Sequence, residues 1–140
     1  MKKYLSIIML TVICIFGCSC YYTSPGDVSN VKITSVKSDI YSEEDINSAV
    51  DVVKDYFKGF RNCTLQEVGY VGDDEPWLSD MQELEEKYDV DEVIILISNF
   101  YSGEHGEDIG LEPNFPYLNY IWILERNKGG QWEHKSHGYY

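Results

Sequence analysis

Two histidines three residues apart, His134 and His137, follow Glu133 near the C-terminal end of the chain. Imidazoles can share a metal or a proton, but in an extended segment residues three apart point to opposite faces. The spacing therefore predicts two separate polar side chains and no common ligand. His105 sits among Glu104, Glu107 and Asp108, a set that suits a divalent cation or a base beside a carboxylate, or else a solvated loop. Asp73, Asp74 and Glu75 put three carboxylates into one turn without the alternating Asp/Asn/Gly pattern and distant Glu of a calcium loop. They count only as a weak calcium-binding surface, together with the 104–108 loop. Ser79 and Ser98 lack a GxSxG setting, and the chain has neither a glycine-rich phosphate loop nor a CxxC pair. No residue is nominated as catalytic, and no cofactor is expected.

The most specific chemistry lies at the start. Lys2 and Lys3 precede thirteen almost wholly apolar residues, 4–16, which lead to Gly17 and Cys18. This is the layout of a signal peptide, 1–17. As a helix the apolar run would extend only about 20 Å, against a bilayer core of roughly 30 Å. The run Ile15-Phe16-Gly17-Cys18 resembles the lipobox of bacterial lipoproteins. That resemblance implies cleavage before Cys18 and a diacylglyceryl thioether on it, which would anchor the chain at the outer face of a membrane. Cys14 and Cys20 fit the pattern less well. Cys20 and Cys63 remain for a disulfide, or Cys63 is a small buried apolar residue.

Charge narrows the partners. The formal charge is −13, and −15 without Lys2 and Lys3, which disfavours nucleic acid and anionic headgroups. Between Glu67 and Glu112, fifteen Asp and Glu face the single base Lys87. Such a run is either a solvated face or a surface for a cationic peptide or protein.

The elements that must position these groups follow from patterning. Residues 18–30, rich in Ser, Pro, Gly and Thr, read as a flexible tether, and 31–140 as one domain. A short strand is expected within 31–36. Ser42 caps a helix over 43–61, with an acidic first turn, Tyr41 as a staple on Ile46, and apolar residues at Ile46, Ala49, Val50, Val53, Phe57 and Phe60. A strand over 64–71 leads through the 72–76 turn to a short helix whose Trp77, Met81, Leu84 and Tyr88 share a stripe. The run 93–97 is continuously apolar, as in a strand buried on both faces. A long loop, 102–116, precedes a hairpin of 117–126 and 131–139 about Gly129-Gly130. Trp77, Trp122 and Trp132 either line a pocket or fill the core.

This order predicts an α+β domain, with a long N-terminal helix packed on an antiparallel sheet and a second short helix. The pattern resembles cystatin-like and NTF2-like folds. The segments 41–50 and 91–94 and the ending Trp132-Glu133-His134-Lys135-Ser136-His137-Gly138-Tyr139 are similar to a group of small Firmicute lipoproteins. That likeness spans nearly the whole domain and supplies no catalytic residues. A membrane-anchored, non-catalytic binding module is the expected function. A small hydrolase or isomerase with a carboxylate or histidine in an NTF2-like pocket, and a weak calcium-binding surface, are the alternatives.

Overall fold

The computed structural model describes residues 23–34 and 36–140; Cys18, the leader and Cys20 lie outside them. The chain runs β1 (Lys32–Thr34), α1 (Glu43–Phe57), β2 (Thr64–Tyr70), α2 (Trp77–Tyr88), β3 (Glu92–Tyr101), β4 (Pro116–Arg126) and β5 (Glu133–Gly138), with a 3₁₀ turn at Gly106–Ile109. It is an α+β fold of two helices and one five-stranded sheet, ordered β1-β2-β3-β4-β5. No helix among the described residues is long and apolar enough to cross a membrane.

The sheet is mixed, not antiparallel. β2 to β5 are antiparallel neighbours in chain order, but β1 pairs in parallel with β2, which it reaches through α1. A helical crossover is what a parallel pair requires, and nothing in the period of a strand reveals its partner's direction. At that pairing Gly69 lies under Thr34: a Cβ there would stand 1.8 Å from Thr34 Oγ1 and 2.7 Å from its carbonyl oxygen.

α1 begins where the sequence expects, with a reciprocal capping box in which Ser42 accepts from Asp45 N and the Asp45 carboxylate accepts from Ser42 N. It ends earlier than expected, at Phe57 instead of residue 61. Gly59 and Phe60 bond back three residues to Tyr56 O and Phe57 O, tightening the chain out of the helix, and Asn62 takes a φ of 60°. Its buried stripe of Ile46, Ala49, Val50, Val53 and Phe57 faces the side of the sheet carrying Phe100 and Trp122.

α2 covers the opposite side, over Ile95, Ile121 and Ile123. Helices on both faces explain why Val93, Ile94, Ile95 and Leu96 are all buried.

The tether reading of 18–30 does not hold where the chain is described. Gly26 N donates to Lys58 O, Asp27 N to Cys63 O, and Leu65 N to Asp27 O, so 24–27 is strapped beside the start of β2. Composition marked this stretch as polar, but backbone hydrogen bonding does not depend on composition.

The long loop is likewise built. Ser102, fully buried, accepts from Phe115 N and donates to the Glu112 carbonyl, with the Phe115 carbonyl 3.2 Å from the same oxygen. This pins both ends of the loop and sets the Gly106–Ile109 turn against the body of the domain.

Candidate functional site

β5 carries the first surprise. Ile123 pairs with Ser136 but Leu124 pairs with His134, so Lys135 is an extra residue in β5. The bulge resets the alternation. His137 opposes Trp122 and His134 opposes Leu124, two residues on the same face of β4. The histidines are therefore together and not on opposite faces: His134 Nε2 lies 2.8 Å from His137 Nδ1. The expectation failed because side-chain period alone cannot register a bulge.

The pair is seated among rings. Tyr56, on the last turn of α1, stacks on His134 with centroids 3.7 Å apart, and His137 lies 5.1 Å from Trp122 and 5.4 Å from Phe60. Burial holds the pKa of both histidines below the usual imidazole range, and for His134 the neighbouring His137 adds to the depression. His137 forms one wall of a cleft of about 390 Å³, whose other walls are Tyr56, Gly59, Phe60 and Ile109 from the 3₁₀ turn.

A second concavity, of about 250 Å³, runs between α2 and the sheet. Trp77, Leu84 and Tyr88 supply one apolar side and Ile95, Ile121 and Ile123 the other, while Asp80, Glu83 and Lys87 form the rim. Lys135 Nζ stands 4.5 Å over the Tyr88 ring, an intramolecular cation–π contact. Among the tryptophans, Trp122 and Trp132 are buried core residues, while Trp77 lines this groove.

The acidic candidates are dispersed. Asp73 accepts from Ser38 Oγ, Asp39 N and Tyr70 Oη, and these bonds hold its carboxyl below the usual range although burial pushes the other way. Glu75 accepts from Ser79. Both thus stabilise the turn into α2. Because β2 and β3 are antiparallel, the 73–75 turn and the 104–108 loop lie at opposite ends of the sheet. They cannot jointly hold an ion, and no group of three or more His, Cys, Asp or Glu among the described residues could hold one.

His105 lines a third cleft, of about 400 Å³, together with Asp27, Asn62 and Cys63. Cys63 is a free, buried thiol whose pKa burial raises, the reverse of what a nucleophile needs.

One ion-pair cluster is structural. Arg126 donates to Glu92 and to Asp45 at the N-terminus of α1, and its guanidinium lies over Trp132, which in turn donates to Asp45 O. Compared with protein-family models, with curated proteins and with solved structures, the chain matches none.

Proposed function

We propose that the protein is a lipid-anchored, extracytoplasmic binding module, held by an acylated Cys18 and taking a cationic partner on its acidic side. The observation that carries the second half is the α2 groove. An apolar floor with Asp80 and Glu83 beside Lys87 on its rim, in a segment with fifteen acids and that one lysine, supports a basic amphipathic peptide or protein segment as the partner. Apolar burial would supply affinity, and the charge would steer and select. The first half rests on the leader and on Ile15-Phe16-Gly17-Cys18. The order of α1, β2, α2 and the β3-β4-β5 meander is what a cystatin-like or NTF2-like reading rests on, with the parallel β1 and the helix on the second face as departures from that pattern; the likeness to small Firmicute lipoproteins rests on the sequence segments 41–50, 91–94 and 132–139 alone.

Titration with a Lys-rich amphipathic peptide tests the groove. Saturable binding that weakens from low salt to about 0.15 M, and weakens several-fold in a D80N/E83Q variant, is expected. Salt-insensitive binding, or none, would overturn it. For the anchor, Cys18→Ser should move the protein out of the membrane fraction; retention there would count against acylation.

A second reading, a small hydrolase or isomerase, is favoured by one observation: a histidine on a cleft wall, His137, backed by another histidine.

A further inference from the structure

His134 and His137 do more than touch, because their contact takes up one nitrogen of each ring. His134 Nε2 lies 2.8 Å from His137 Nδ1, and either ring can be the donor. In both arrangements Nε2 of His137 is left over, with a lone pair when His137 donates and with a proton when His134 does. Among the described residues that atom meets no hydrogen-bond partner, and His137 lines the cleft.

The surroundings define what could accept this invitation. The walls are two aromatic rings, Tyr56 and Phe60, and the aliphatic Ile109, of which Tyr56 and Ile109 are 43% and 37% exposed. A volume of about 390 Å³ falls in the range of small-molecule sites. A chain of net charge −13 repels anions, and the cleft walls carry no carboxylate to draw a cation. A metal would need further ligands that no third His, Cys, Asp or Glu supplies.

We infer that the cleft between the end of α1, the 3₁₀ turn and β5 binds a small neutral aromatic molecule bearing a hydroxyl, which hydrogen-bonds to His137 Nε2 while its ring packs on Tyr56 and Phe60. His134 acts as a positioning residue, holding the plane of His137 through the contact at Nδ1. The site is separate from the α2 groove and stands whether or not a cationic peptide binds there; it gives the second functional reading a ligand class without requiring a reaction.

The test is a titration of the full chain with p-cresol and, in parallel, with toluene, which has the same ring and methyl group but no hydroxyl. Side-chain NMR at about pH 8 keeps the imidazoles neutral. Saturable shifts at Tyr56, Phe60 and His137 are expected, with p-cresol bound about 5-fold or more tighter than toluene, as befits a half-exposed hydrogen bond. His137→Phe should abolish that preference and leave toluene binding in place. Equal affinities for the two probes, shifts located elsewhere, or no saturable shift would overturn the inference. Were His137→Phe to unfold, as far-UV circular dichroism would show, the wild-type ratio and the location of its shifts would still decide.

Discussion

The guanidinium of Arg126 lies 4.1 Å from the centre of the Trp132 ring, and both residues reach Asp45, one through its carboxylate and the other through its backbone carbonyl. Arg126 Nε also stands 2.6 Å from Glu92, so a cation from β4 ties β3 to the first turn of α1. Its side chain is only 14% exposed, while the two carboxylates keep about a third of their surface. Removing Arg126 strands two partly buried anions. Arg126→Met should cost about 2–3 kcal/mol, less than the loss of one partner from a fully buried pair because water reaches the carboxylates. Arg126→Lys should recover only part, since an ammonium cannot bridge both anions and stack on indole together. Urea unfolding of the three proteins measures this, and equal stability of all three would refute it.

Ser98 and Trp122 make a buried polar pair across β3 and β4. Trp122 Nε1 donates to Ser98 Oγ at 2.8 Å, and both residues are almost wholly inaccessible. Ser98→Ala leaves the indole N–H without a partner and should cost about 1–3 kcal/mol. Removing both groups in S98A/W122F should cost less than the sum of the single changes, because the first change already leaves the second group unpaired. Additive losses in a denaturation cycle would show that the bond carries no coupling.

What could be read along the chain was what is local. The Ser42 cap, the stripe of α1, the Trp77–Tyr88 helix and the doubly buried run of β3 each follow from spacing within a few residues. What escaped was pairing. The direction of β1, the strapping of 24–27 to β2 and the reset at Lys135 depend on which strand lies alongside, and side-chain period carries no such information. The histidine cleft escaped for the same reason, being assembled from the end of a helix, a loop turn and a bulged strand. Gly69, an isolated glycine within the 64–71 strand, is a signal that could have marked the close backbone approach and was not used.

That glycine predicts its own variant. A Cβ at residue 69 would meet the Thr34 carbonyl oxygen at 2.7 Å, and a backbone atom cannot rotate away. Gly69→Ala should therefore push β1 off β2 and cost about 1–3 kcal/mol, the range for overpacking. Combining it with Thr34→Ala removes the hydroxyl clash but not the carbonyl clash, so recovery should be partial. Hydrogen exchange offers the readout: amides of β1 and β2 at their pairing should exchange faster in Gly69→Ala, with β4 and β5 protected as before. Unchanged protection in β1 would refute the close approach.

The histidine pair should also make stability fall in mild acid. Both pKa values are depressed on folding, mainly by burial, so the native state resists protons that the unfolded chain accepts. Above the ordinary imidazole value of about 6.5 both states are neutral there and the pair causes no pH dependence. As the pH drops through that value the unfolded chain takes up protons first, and stability declines until the folded values are passed. The carboxylates held low act in a separate window: Asp45, bonded to Ser42 and Arg126, loses its contribution only as the pH falls below the unfolded carboxylate value of about 4. Urea midpoints at about pH 7 and about pH 5.5 isolate the imidazoles from the carboxylates. The wild type should drop between them, and a H134F/H137F variant should drop less, with His105 present in both as an internal control. An equal drop in the two proteins would mean that the pair takes up protons as readily folded as unfolded, and that the rings around it do not shield it from water.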